Sequence, residues 1–338
     1  MAKAYRFGFG RRGINRVMIA GLLIVTLLLT AANGGSGLAA SESPDGQTRQ
    51  PAARFAVGYE TVSLVDTSRG TPAWAGVPAS STRTIDTLVM YPARGKPDGA
   101  SVPGARPVRL GRFPVVVFLH GASTTAEDYR QAIESWARAG YVVVAPTAPL
   151  GGLGLEQSGA ARNVDAANHP GDVRFVLSEL PSELPRTIRT RADFDRVAVT
   201  GKSLGAVTAL AVAFDPCCRK NAIRGAVAMA GPQSPLVASG TDVATLIVHG
   251  DADELVPYAA GRANFDAAPA PKFFLTLIGT GHAPTLATQP AGPTDDALVT
   301  TATDFFDRYL KSNKGALDRM RRHGNISGVA QLDSKTES

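Results

Sequence analysis

From Phe55 onward the chain alternates between short apolar runs rich in β-branched residues and longer segments whose apolar positions recur at helical spacing. Two early runs, Tyr59 to Val65 and Thr84 to Tyr91, predict strands that pair antiparallel. Six more follow: Pro114 to Leu119, Tyr141 to Ala145, Arg196 to Thr200, Gly225 to Ala230, Thr245 to His249 and Phe273 to Ile278. These six are apolar nearly throughout and mostly bounded by Gly, Pro or Asp, as strands buried on both faces of a parallel sheet are. Helices are expected between them, over Ala126 to Ala139, Arg174 to Leu180, Leu204 to Phe214 and Asp295 to Leu310. The alternation predicts an α/β fold: one open, mostly parallel, doubly wound sheet with helices on both faces. The stretch from Gly231 to Ala244 is too short to hold a separate lid domain. A catalytic domain is expected over 55–312. The charge-rich segment 313–338 reads as a weakly ordered polar tail.

The N-terminal residues follow a different pattern. A basic region to Arg16, an apolar run from Val17 to Ala32 and a small-residue stretch from Asn33 to Ala40 form the three parts of an export signal over 1–40. The run is shorter than the roughly 20 apolar residues that span a bilayer. A Ser/Gly/Pro/Gln-rich linker over 41–54 follows. The expectation is a secreted or cell-envelope protein, with no stable membrane insertion once the signal is removed; an uncleaved anchor is the alternative. Arg11 and Arg12 weakly resemble a twin-arginine signal, without its usual preceding Ser or Thr.

Charge then narrows the classes. The formal charge of +6 is concentrated in the leader, which carries five basic residues and no acidic one. The remainder holds 30 basic against 29 acidic side chains, a net of +1, and shows no basic stripe, so a nucleic-acid partner is not expected. Cys217 and Cys218 are adjacent. Their Cα atoms, about 3.8 Å apart, are too close for an ordinary disulfide. With no Cys/His cluster, no metal site is expected.

Candidate chemistry lies at strand ends. Arg196 to Thr200 leads into Gly201-Lys202-Ser203-Leu204-Gly205 and then a small-residue helix. A serine at a sharp strand-to-helix turn needs glycines beside it, and the turn aims helix N-terminal amides at an anionic intermediate. Ser203 is therefore the expected nucleophile. Its base should follow the last strand; His282, in Gly279-Thr280-Gly281-His282, meets that condition with folded sequence on both sides. Asp251, Asp253 and Glu254 compete as the acid, and the G-x-x-D spacing from Gly250 selects Asp253. The turn His120-Gly121-Ala122 stands where this arrangement supplies a second oxyanion donor, so the amides of Ala122 and Leu204 are expected to form the hole. His120 is then a packing and hydrogen-bonding residue. Asp172 and Arg174 read as a partly solvated helix face, Trp74 and Trp136 as packing, and Tyr258 as a weak candidate for substrate contact.

With these motifs in view, the chain resembles the platelet-activating-factor acetylhydrolase-like and dienelactone-hydrolase-like branch of the α/β-hydrolases. The matching residues include Leu64-Val65-Asp66-Thr67-Ser68-Arg69, Val89-Met90-Tyr91-Pro92, Phe118-Leu119-His120-Gly121, Pro170-Gly171-Asp172, the Ser203 turn, Gly250 to Asp253 and Gly281-His282. The resemblance implies ester hydrolysis without metal or organic cofactor but does not carry a substrate across; a small-molecule or polymeric ester and a monomeric state are the expectations. It departs from dienelactone hydrolases in having Ser203 for cysteine. Lys202 stands where relatives often carry His, and Ala206 where many carry a third Gly. Peptidase or acyltransferase chemistry on the same fold is the runner-up; a non-catalytic binding protein is the alternative from another class.

Overall fold

The apolar runs from Phe113 to Leu277 form the parallel centre of a ten-stranded sheet in a computed structural model, which describes residues 54–74, 76–152, 165–215, 222–234, 243–282 and 292–336. The expected signal, nearly all of the linker, and Cys217 and Cys218 lie outside the described residues. All described residues belong to one unit, Gly46–Ser338. No helix among them is long and apolar enough to cross a membrane.

The strands are β1 (Ala56–Asp66), β2 (Arg83–Ala93), β3 (Val102–Pro103), β4 (Phe113–Leu119), β5 (Val142–Thr147), β6 (Ala192–Lys202), β7 (Ile223–Met229), β8 (Ala244–Gly250), β9 (Lys272–Leu277) and β10 (Ala330–Lys335). Their order across the sheet is β10-β9-β8-β7-β6-β4-β5-β2-β1-β3. From β5 to β9 every pairing is parallel. The expected antiparallel pair forms between β1 and β2, and β2 runs antiparallel to β5.

Alternation along the strands sorts the helices. Val116 and Phe118 face one core with α1 (Arg130–Arg138) and α6 (Pro293–Leu310). Val115, Val117 and Leu119 face the other, with α2 (His169–Glu183), α4 (Leu204–Phe214) and α5 (Tyr258–Ala267). Two cores of this kind are what strands apolar on both faces require. Trp136, fully buried, anchors the first core against Phe118 and Phe306.

Two expectations need correction. The segment 313–338 is not a loose tail, since it holds α7 (Ala316–Gly324) and β10. Helix α7 buries Ala316, Met320 and Gly324, one side chain per turn, so its apolar signal is thin. Polar contacts replace it: Arg319 pairs with Asp304 at 2.7 Å and Asp307 at 2.8 Å, and His323 with Asp304 at 2.6 Å. Strand β10 then pairs with β9 from Ala330↔Leu277 to Lys335↔Lys272 and gives that edge a charged border. The second correction concerns Asp172, which is buried rather than solvated. Arg83, with no exposed side-chain surface, is clasped by Asp172 (2.6 Å) and Asp165 (2.7 Å), and Arg69 joins Asp172 (2.8 Å) to Asp66 (2.7 Å). Burial opposes charge on Arg83, but bonds from both carboxylates hold it firmly ionised. Burial raises the carboxyl of Asp172 above its usual range despite both arginines, whereas Arg83 and Asn168 overcome burial at Asp165 and lower it.

Candidate active site

The parallel strands all end at one edge of the sheet, and the chemistry collects there. Strand β6 stops at Lys202, and Ser203 takes the turn into α4 at φ 55° and ψ −115°, a backbone conformation costly for any residue with a Cβ. Close approach enforces the glycines around it. A Cβ on Gly205 would stand 2.1 Å from the Leu119 carbonyl oxygen, and one on Gly201 2.4 Å from that of Gly205. The bond from the Ser203 amide to the Met229 carbonyl, 2.8 Å, fixes the turn to β7.

Ser203 meets the two other residues expected with it. The Nε2 of His282 lies 3.1 Å from Ser203 Oγ, and its Nδ1 lies 2.9 Å from Asp253 Oδ2. With Nδ1–H donating to the carboxylate, Nε2 presents its lone pair to the hydroxyl, the tautomer a general base needs. The Asp253 side chain is fully buried, and burial by itself would raise its carboxyl. The Val256 amide (2.7 Å), the His282 ring and the Leu255 amide (2.9 Å) outweigh it and hold the carboxyl below its usual range. The competing carboxylates have other work. Asp251 Oδ1 accepts the Gly279 amide at 2.6 Å, and Glu254 Oε2 accepts the His282 amide at 3.1 Å, so both tie the acid loop to the His282 loop.

The His120-Gly121-Ala122 turn sits against the serine. A Cβ built on Gly121 would lie 3.6 Å from the Ser203 Cβ. The carbonyl of Gly121 accepts bonds from His120 Nδ1 (2.8 Å) and Thr124 Oγ1 (2.9 Å), which fixes the peptide plane whose other end is the Ala122 N–H. Neither the Ala122 nor the Leu204 amide donates to another described residue, so both stay open to a developing oxyanion. The Ala148 amide donates to His120 Nε2 at 3.0 Å, which assigns the ring proton to Nδ1. Burial depresses this imidazole to about 4, and His169 pushes the same way, against the opposing pull of the Gly121 bond. It remains neutral and structural.

Tyr258 is placed differently from the expectation. Its hydroxyl bonds to Thr276 Oγ1 at 2.6 Å and its ring packs edge-on to Phe274 and His249. The i, i+2 alternation of β8 and β9 turns His249, Phe274 and Thr276 toward α5, and Tyr258 is the first residue of that helix. It is a packing residue. One contributor escapes the sequence reading altogether. His249 Nε2 lies 3.0 Å from the Val256 carbonyl and 3.3 Å from Asp253 Oδ2, with no exposed side-chain surface. A proton on Nε2 therefore steadies the loop that presents the carboxylate, and a second imidazole braces the acid from behind. The signal was present as His249-Gly250-x-x-Asp253, a polar residue ending an apolar strand four positions before the acid. Lys202 is also buried. Its ammonium lies 6.0 Å from the centre of the Tyr129 ring, and burial lowers it against the pull of Asp253, Asp295 and Glu254.

Known proteins agree with this architecture. The chlorophyllase family profile matches residues 80–230, from β2 to the end of β7, and so takes in the Ser203 turn and the His120-Gly121 turn but not Asp253 or His282. No curated protein is similar in sequence. A ferulic acid esterase from Streptomyces cinnamoneus superposes with a TM-score of 0.59 at 19% identity, over 79% of this chain and 93% of that one. The likeness gives the fold, that of the α/β-hydrolases. With the family match it supports a carboxylic ester hydrolase of an esterase-like branch.

Proposed function

We propose that this α/β-hydrolase, an ester-cleaving enzyme, works through an acyl-enzyme on Ser203, with His282 as base and Asp253 as its partner. The observation that carries the reading is the unbroken relay of 3.1 Å and 2.9 Å from hydroxyl to imidazole to carboxylate. Ser203 Oγ attacks the ester carbonyl while its proton passes to His282 Nε2. The tetrahedral oxyanion is met by the N–H groups of Ala122 and Leu204. As it collapses, His282 returns the proton to the departing alkoxide, which leaves as the alcohol. Water, deprotonated by the same nitrogen, then releases the acid and restores Ser203. Asp253 orients the imidazole and stabilises its cation throughout. The expected substrates are small-molecule or polymeric esters. The leader pattern supports secretion, with the mature protein acting as a monomer outside the cytoplasm.

A fluorophosphonate probe tests the reading. One adduct is expected on Ser203 by peptide mass mapping, with none in Ser203→Ala and hydrolysis of short-chain p-nitrophenyl esters lost by about 10⁴-fold or more in that variant. Equal turnover by Ser203→Ala would overturn it.

A further inference from the structure

At the opposite edge of the sheet, where the parallel strands begin, lies an open groove of about 630 Å³. Strand β2 ends there, since its Met90 pairs with Val143 near the start of β5, and the loop over residues 104–109 and α3 (Arg186–Arg189) complete the walls. Arg94, Arg106, Arg109, Arg186 and Arg191 all line it, against Glu60 as the one carboxylate. Five arginines elsewhere in the fold, Arg69, Arg83, Arg196, Arg262 and Arg319, each meet an aspartate within 2.8 Å. The groove's arginines make no such pair among the described residues, and Arg191 donates to the Gly111 carbonyl. Five like charges in one depression repel one another until an anion enters. Beside Arg109 stands Leu110, 85% exposed, and Val102 on the adjoining edge strand is 52% exposed.

We infer that this groove and the projecting Leu110 form a peripheral docking face for an anionic phospholipid surface. Guanidinium groups engage headgroup phosphates in bidentate fashion, and an apolar side chain beside them enters the acyl boundary. A soluble anion would use the arginines and leave Leu110 without a role; a bilayer uses both. Strand β1 starts at this same edge, Ala56 pairing with Ala93 next to Arg94. Docked in this way, the protein turns the Ser203 edge away from the lipid.

Co-sedimentation of the full chain with phosphatidylcholine vesicles, with and without phosphatidylglycerol, tests the inference. The leader's five basic residues also favour anionic vesicles, so the difference between wild type and variants on phosphatidylglycerol reports the groove. Wild type is expected to bind the anionic vesicles more strongly, and less so as salt rises. At about fivefold per basic residue, Arg106→Ala/Arg109→Ala/Arg186→Ala lowers that partitioning by about 100-fold. Leu110→Asp lowers it by about tenfold. The unfolding temperature and soluble-ester hydrolysis of both variants are expected to stay at wild-type values; where the triple variant unfolds, Arg106→Ala and Arg109→Ala taken singly carry the measurement. Equal partitioning of wild type and folded variants would overturn the inference. So would arginine-dependent binding of tripolyphosphate in solution without any preference for phosphatidylglycerol. Loss of esterase activity in Ser203→Ala leaves this result untouched.

Discussion

Two buried carboxylates of this molecule, Asp253 and Asp172, solve the same problem by different means. Asp172 is matched to guanidinium groups, Arg83 and Arg69, whose charge no accessible pH removes. Asp253 is matched to two amides and to two imidazoles, those of His282 and His249. A fixed cation gives a rigid joint between β2 and α2, whereas an imidazole aligned on the Ser203 hydroxyl gives the arrangement the proposed acyl transfer requires. What surrounds a buried acid separates a structural carboxylate from a working one better than its burial does.

That contrast can be broken experimentally. The largest effect is expected from Asp253→Asn, which retains shape but leaves His282 Nδ1 facing an amide; kcat/KM should fall by about 10³–10⁴-fold with little change in thermal stability. Arg83→Met should do the reverse. Taking away the guanidinium shared by Asp165 and Asp172, with only Arg69 left on Asp172, costs about 3–5 kcal/mol in denaturant unfolding, while the surviving folded fraction keeps its kcat. His120 comes next and tests pH. Because its imidazole is depressed to about 4 when folded, the unfolded chain takes up its proton first as pH falls below about 6.5. Stability is therefore fully present above that value and declines between about 6.5 and 4, by up to about 3 kcal/mol. His120→Asn should flatten the decline over that range in pH-resolved melts. The smallest effect is expected from His249→Leu, about a tenfold loss of kcat/KM. His249→Gln, whose amide reaches where Nε2 donates, should recover most of the loss.

Residues whose chemistry is written in a local string were legible from the sequence. Ser203 lies in a glycine-bounded turn between a strand and a helix, and Asp253 and His282 each follow an apolar strand within a few residues. The eight expected strands and four expected helices all have counterparts in the fold. What escaped depends on partners remote in the chain. Asp172 reads as a solvated helical residue until β2 brings Arg83 across 89 positions to meet it. Tyr258 reads as a weak candidate for substrate contact until β9 brings Phe274 and Thr276 against it. Helix α7 looked disordered because its stability comes from Asp304 and Asp307, two acids on α6 with nothing in their own neighbourhood to mark them as buried. The five groove arginines come from three stretches, at 94, 106–109 and 186–191, and only the fold gathers them into one basic face.

The relay from Ser203 to His282 runs from the end of β6 to the loop beyond β9, so β7 and β8 must be in place between them. The β1–β2 hairpin at the far side assembles from residues much nearer in the chain. Loop closure makes the long-range parallel pairings the slow ones. During refolding, turnover should thus return as one late, cooperative event after the hairpin has formed, and fragments ending before β9 should contribute none of it.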